Sequence, residues 1–399
     1  MIQREEYLNK LIAFKDKQLI KVVTGIRRCG KSTLFELFKE YLLKSKISAK
    51  QIISINFDDT LYDDLTDYKK LLNYINSKII PNKKNYIFLD EIQNVDKFQK
   101  AVSSLYLKPN VDIYITGSNA YLLSGELATL LSGRYIEIKM LPLSFKEYMS
   151  CFQEQTDLTR KFRMYMQQGS FPYILEFKEN QQHINDYLSS IYNAVVLKDI
   201  ISRKKINDVG MLESIIKFMF DNVGNILSSK SISDTMTSAG RKIAPQTVEN
   251  YLTAMIDSFI LYKVNRYDIL GKQYLKTAEK YYVTDLGLQR FVLGSKKQDF
   301  GRNLENIVYL ELLRRNYEIY IGKIYSNEVD FIAIKNGITQ YYQVAETVKD
   351  EKTLKRELKS LENIKDNNQK FLITADEKPL TTHNGIQQIN VIDWLLENK

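Results

Sequence analysis

Cysteine is nearly absent: Cys29 and Cys151 are the only two in 399 residues. They lie too far apart to form a metal-ligand spacing, so zinc is not implied, and they fit a reducing compartment without disulfides. Long apolar runs are missing too. None approaches the ~20 residues that a membrane-spanning helix needs, and the opening MIQREEYLNK lacks the apolar stretch of a secretion signal. A cytoplasmic protein with no membrane partner is therefore expected. Proline is scarce, at six residues, so no Pro-rich linker marks a boundary and divisions must be read from changes of pattern. Neither a fixed-period repeat nor a low-complexity segment is visible. A chain of this length exceeds one ordinary core, so two or three domains are expected. The formal charge of +9 hints at an acidic partner such as nucleic acid, but lysine and arginine are spread along the chain rather than gathered in a block.

What the first 145 residues do contain is a regular alternation of short β-type runs and helical stretches, the pattern of a parallel sheet covered by helices on both faces. The runs are LIKVVTG (19–25), QIISINF (51–57), NYIFLDE (85–91), VDIYITGS (111–118) and RYIEIKML (134–141). Several are apolar almost throughout, as strands buried on both sides should be. The first interval reads as a helix over 32–44, with Leu34, Leu37, Phe38, Tyr41 and Leu42 on one face.

Directly after the first strand comes GIRRCGKST. Gly25 ends the strand, four residues intervene, and Gly30, Lys31, Ser32 and Thr33 open the helix, which is the complete G-x-x-x-x-G-K-[ST] pattern in a strand–loop–helix setting. Glycines let the backbone wrap closely, successive N–H groups face phosphate oxygens, and the helix start adds a favourable dipole. Lys31 is placed to bridge the β- and γ-phosphates of ATP, and Ser32 to offer its hydroxyl to Mg²⁺. Asp90 and Glu91 end an apolar strand that can lie beside the first one. Asp90 suits the Mg²⁺ role and Glu91 that of a general base polarising the attacking water; alternatively, the two acids cap the next helix. At the tip of VDIYITGSNA, the amide of Asn119, next to Ser118, suits a hydrogen bond to the attacking water or γ-phosphate, or else serves the turn alone. Arg134, at the start of the last strand, has two readings: a cation reaching a nucleotide across a subunit boundary, or a solvated arginine.

Residues 146–210 turn helical and suggest a lid. QGSFPYIL (168–175) interrupts them as a turn, and Lys198 and Arg203 offer cations that either sense phosphate or merely coat a solvated helix face. Over 211–292, SISDTMTSAG and APQTVENYLTAMIDS read as two helices and FILYKVNRYD and GKQYLKTAEKYYVTD as a β-ribbon, the outline of a winged helix. On the second helix Val248, Tyr251, Leu252 and Met255 mark the buried side. Gln246, Thr247, Glu249 and Asn250 are left exposed, and Lys263, Arg266 and Lys272 lie on the ribbon. DNA contact and a structural or protein-docking role are both open for this module. Over 293–399, Glu305 falls on an amphipathic helix, Asp330 on a strand and Gln343 on a paired strand. Ala345 stands two positions after Gln343, and Glu346, one position on, faces the other side of a regular strand.

GIRRCGKST, YIFLDEIQ, ITGSNAYLLSGELATLLSGR and MLPLSFKEY resemble the prokaryotic AAA+-type ATPases that join this core to a C-terminal domain of unknown function with a nuclease-like fold. The resemblance spans essentially the whole chain and is densest over 20–150. It implies an extra strand between the phosphate-loop strand and the Asp-Glu strand, nucleotide-driven conformational change, and room for homo-oligomers. It likens Asn119 to a sensor residue and Arg134 to an arginine finger. The helix-acid, strand-acid, strand-Gln order over 305–343 resembles a restriction-endonuclease-like core. The resemblance implies a lysine where Ala345 stands, and without it Glu305, Asp330 and Gln343 are expected to form at most a weak metal site in a domain that does not cleave. The expected fold is thus α/β: a P-loop NTPase core (1–145), helical lid (146–210), winged-helix-like module (211–292) and nuclease-like domain (293–399). The expected function is Mg-dependent ATP hydrolysis coupled to DNA or protein-partner binding. The alternatives are a slow nucleotide-gated switch in signalling or defence and a metal-dependent nuclease.

Overall fold

A computed structural model describes residues 2–120, 131, 133–152, 157–202, 206–271, 273–294, 299–377 and 381–397, without the side chains of 198, 202 and 274–277. By its internal contacts the chain divides into two compact units. One comprises residues 1–142 with 257–259, the other 143–256 with 260–399.

The first unit is built on five parallel strands: β1 (Ile20–Thr24), β2 (Ile52–Asn56), β3 (Asn85–Asp90), β4 (Val111–Gly117) and β5 (Tyr135–Lys139). Their spatial order is β2-β3-β4-β1-β5. Every residue of β1, β3 and β4 is buried, which explains why these runs read as unbroken apolar stretches rather than alternating ones. The period of two still sorts their side chains. Ile87 and Leu89 of β3 and Ile113 and Ile115 of β4 share one core with Leu71, Ile75, Ala101, Val102 and Leu105 from helices Tyr68–Lys78 and Phe98–Tyr106. Phe88 and Tyr114 point to the other face, stacked on each other at 4.8 Å and packed against Phe35 and Phe38 of helix Lys31–Lys44. That helix buries Leu34, Phe35, Leu37, Phe38 and Leu42, so its apolar face is the expected one with Phe35 in it and Tyr41 at its edge.

β4 lies between β1 and β3, pairing in parallel with both. The simpler reading of β3 as the direct neighbour of β1 is therefore corrected, and the inserted strand implied by the family resemblance is present. The consequence is chemical: Asp90 at the end of β3 and Thr116 near the end of β4 share the face covered by the helix that begins at Lys31.

The second unit holds a nine-stranded sheet in the order β13-β14-β12-β11-β10-β9-β7-β8-β6. Its members are β6 (Ile226–Leu227), β7 (Leu261–Asp268), β8 (Gln273–Val283), β9 (Glu318–Ile324), β10 (Asn327–Lys335), β11 (Ile338–Ala345), β12 (Gln369–Thr374), β13 (Thr381–His383) and β14 (Ile386–Asn390). The ribbon strands β7 and β8 are antiparallel, and β6 pairs with β8. Helices Val209–Asp221, Ser229–Ser238 and Pro245–Asp257 precede them. β7 also pairs in parallel with β9, so one sheet runs across the division expected at 292/293. The helical stretch is likewise tied to later sequence. Asp285 accepts hydrogen bonds from the Ser170 amide at 2.6 Å and hydroxyl at 2.8 Å while capping helix Leu286–Leu293 through the Leu288 amide. Residues 146–210, 211–292 apart from 257–259, and 293–399 all lie in this second unit.

Candidate nucleotide site and acid cluster

The phosphate-loop residues sit at the C-terminal end of β1. Gly25 has φ 149°, and a Cβ there would fall 2.1 Å from the Met140 carbonyl oxygen, so only glycine permits β1 to leave the sheet here. Gly30, at φ 105°, is the last residue before the helix. Lys31 is buried, and its ammonium donates to the carbonyls of Gly25 at 3.0 Å and Ile26 at 3.2 Å, folding back over the loop. It also lies 3.6 Å from the Glu91 carboxylate. Ser32 is exposed and Thr33 half-buried at the start of the helix.

Asp90 and Glu91 reach this loop from β3. Asp90 accepts hydrogen bonds from Ser32 and Thr116, and burial, with the neighbouring Glu91 charge, pushes its carboxyl above the usual range against those two bonds. Thr116 works twice, because its hydroxyl also accepts from the Glu91 amide at 2.9 Å. Glu91 takes up the left-handed conformation, φ 52°, which turns the chain sharply off the strand. Burial raises its carboxyl, but Lys31, a hydrogen bond from Gln93 and the more distant Arg27 outweigh this and hold it below the usual glutamate value. Ser118 and Asn119 are buried just beyond β4. The structure thus brings Gly25, Gly30, Lys31, Ser32, Asp90, Glu91 and Asn119 to the same end of one sheet.

Arg134 is elsewhere. Its carbonyl accepts from the Ile20 amide at the start of β1, one strand length from the loop, and its guanidinium lies 5.5 Å from the centre of the Tyr106 ring. It takes no part in its own chain's phosphate loop. The Lys198 side chain, Arg203 and Lys272 fall outside the described residues, as does 121–130 within the ITGSNAYLLSGELATLLSGR stretch.

In the second unit the acid set has an unforeseen centre. The Lys280 ammonium, from β8, lies 2.9 Å from Glu305, 2.6 Å from Glu328 and 3.9 Å from Asp330. Burial lowers the lysine's proton affinity, but the three carboxylates overcompensate and hold it above its ordinary value. The Tyr282 hydroxyl adds a hydrogen bond to Glu305 at 2.6 Å. Gln343 turns toward helix Glu351–Glu362, donating to Glu357 at 3.0 Å and accepting from Ser360 at 3.1 Å. Among the described residues no group of three or more His, Cys, Asp or Glu is arranged to hold a metal ion. Of the expected trio, Glu305 and Asp330 lie around the Lys280 ammonium, while Gln343 accepts from the Asp330 amide at 3.4 Å as well as bonding the neighbouring helix.

Residues 17–149 match a family model described as an AAA domain, and residues 159–299 match one described as a domain of unknown function, DUF8612. An uncharacterized protein of Haemophilus influenzae is 42% identical over 401 aligned positions, covering 100% of this chain and 99% of its own length. The chain belongs to the same family. An uncharacterized protein of Methanocaldococcus jannaschii is 31% identical, with 94% of this chain and 85% of that protein covered. Among solved structures, a Walker-type ATPase of Pyrococcus abyssi superposes with a TM-score of 0.53 at 15% identity, over 73% of this chain and 96% of the other. That likeness establishes a shared fold. The first unit of this family member is therefore an AAA-type, ATPase-like domain.

Sequence reasoning missed Thr116, Gln93 and Lys280. Thr116 was visible as a polar residue two positions after Tyr114, near the end of a strand whose other polar side chain is Asp112, on the face that carries Asp90. Lys280 had no local signal, because its partners lie 25 and more positions away. Helix Pro245–Asp257 buries the expected Val248, Tyr251, Leu252 and Met255 and leaves Gln246, Glu249 and Asn250 exposed, with Thr247 half-buried. On the ribbon, Lys263 is paired with Glu279 at 3.4 Å.

Proposed function

We propose that the protein binds and hydrolyses ATP at the loop 25–33, and that the nucleotide state governs binding of a partner. The observation carrying this reading is the convergence of Lys31, Ser32, Asp90 and Glu91 at one end of the parallel sheet. A buried ammonium whose partners are two carbonyls and one carboxylate can transfer to phosphate oxygens, leaving Glu91 without its cation and more basic. Glu91 then accepts a proton from the attacking water, and Asn119 orients that water or the γ-phosphate. The paired oxygen donors of Ser32 and Asp90 would hold a hard cation such as Mg²⁺. When bound, that ion supplies neutralisation of phosphate charge. Arg134, being remote from its own loop, fits a role only toward a neighbouring subunit in a homo-oligomer.

The first partner class is DNA, favoured by Gln246 and Asn250 standing exposed on a helix that precedes a β-ribbon, the winged-helix outline. Glu249 on the same helix and the Lys263–Glu279 pair oppose it, which leaves a protein partner as the alternative reading. The lysine-centred acid cluster supports a nuclease-like domain without cleavage activity. The test is ATP turnover measured with and without duplex DNA. Turnover lost in Glu91→Gln and raised by DNA supports the reading; turnover unchanged in Glu91→Gln refutes the base assignment.

A further inference from the structure

The loop 25–33 is clamped from outside by a residue near the start of the chain. Arg4 is 3% exposed, and its guanidinium donates to the Cys29 carbonyl at 2.8 Å and to the Leu141 carbonyl at 2.6 Å. The two acceptors belong to different ends of the loop's setting. Cys29 precedes Gly30 within it. Leu141 follows Met140, whose amide donates to Thr24 at 2.7 Å and whose carbonyl closes against Gly25. One planar cation therefore fixes the far part of the loop to the backbone on which the loop's first glycine rests. Arg4 holds this position in the left-handed backbone region, φ 45°, a conformation that a non-glycine residue keeps only where its surroundings enforce it. The following helix, Glu5–Ala13, buries Tyr7 and Leu11.

In a planar trans peptide the carbonyl and the next N–H point in opposite directions. A guanidinium gripping the Cys29 carbonyl thus also sets the direction of the Gly30 N–H on the opposite side. We propose that Arg4 is a positioning residue of the nucleotide site: it holds the Cys29–Gly30 peptide with its N–H turned toward the phosphates, so that the cradle is formed before nucleotide arrives. This rests on the ATP-binding reading above. The ligand class is an anion carrying a di- or triphosphate, and the role is preorganisation rather than contact.

Calorimetric titration of Mg-ADP and Mg-ATP into the full chain, beside thermal melting without nucleotide, tests it in four proteins. Wild type binds. Arg4→Gln weakens binding roughly tenfold through loss of a charged hydrogen bond that shapes the loop. Arg4→Lys recovers only part, because an ammonium does not reproduce a fork spanning two carbonyls. Leu11→Ala, which loosens the same N-terminal helix while leaving Arg4 in place, lowers the melting temperature without the affinity loss. Equal affinity in wild type and Arg4→Gln overturns the inference alone, as does an equal loss in Arg4→Gln and Leu11→Ala. Absence of binding to wild type removes the ATP reading and this inference together. If Arg4→Gln does not fold, Arg4→Lys decides: a several-fold loss is expected, and wild-type affinity contradicts it.

Discussion

Lys31 and Glu91 face each other across the phosphate loop, ammonium to carboxylate at 3.6 Å, with side-chain exposures of 4% and 10%. In this pairing the residue proposed to grip phosphate also restrains the residue proposed to activate water. Glu91→Gln is expected to retain Mg-ATP binding and to lose about 10²- to 10⁴-fold in turnover, the range for a general base. Rapid-quench measurement of phosphate release checks this.

Thr116 links the two acids, giving a bond to Asp90 and taking one from the Glu91 amide. Thr116→Val keeps the shape but leaves a buried amide without its acceptor, at a cost of about 1–3 kcal/mol. Urea unfolding should register that loss, and turnover should fall while nucleotide affinity changes less.

Phe38 anchors the loop-bearing helix to the sheet, against Phe88 and Tyr114. Phe38→Ala should destabilise the first unit by about 3–5 kcal/mol. Circular dichroism melts report it, and added Mg-ATP should restore part of the lost stability by mass action.

Lys280 neutralises a buried cluster, so Lys280→Met should cost about 3–5 kcal/mol at neutral pH by stranding the charges of Glu305, Glu328 and Asp330. The sign with pH is definite. Burial and Glu305 already push Asp330 upward, and Lys280 opposes them. Removing the lysine moves the acid further up, so its proton is taken up as pH falls and the variant's deficit should be smaller at pH 5 than at pH 8. In the wild type the folded lysine's proton affinity exceeds the ordinary value of 10.5. Its contribution is therefore fully present below that pH and lost only as pH rises above it. Urea midpoints across pH 5–11 check both statements.

If helix Pro245–Asp257 meets DNA, the double variant Gln246→Ala with Asn250→Ala should weaken binding by about 2–6 kcal/mol for two base-directed side chains and leave the salt slope unchanged. Fluorescence anisotropy at several salt concentrations distinguishes this from phosphate contact alone.

The sequence made the nucleotide end of the first unit legible because its signals are local: an apolar strand, a fixed glycine spacing, a helix start. The burial of Val248, Tyr251, Leu252 and Met255 was legible for the same reason, being a helical period within eight positions. The insertion of β4 between β1 and β3 was available only through family resemblance, since strand order is a property of crossovers that local pattern does not record. Arg4 and Lys280 were illegible because their partners, Leu141 and Asp330, are distant in sequence. The pairing of β7 with β9 escaped for that reason too, and with it the sheet that runs across 292/293.

The most direct test of the central claim is calorimetry of Mg-ATP with wild type and Lys31→Ala under identical conditions. Saturable binding to wild type, lost or weakened at least a hundredfold in Lys31→Ala, is the predicted result. Equal heats for the two proteins, or none for either, would contradict the assignment of residues 25–33 as a nucleotide cradle.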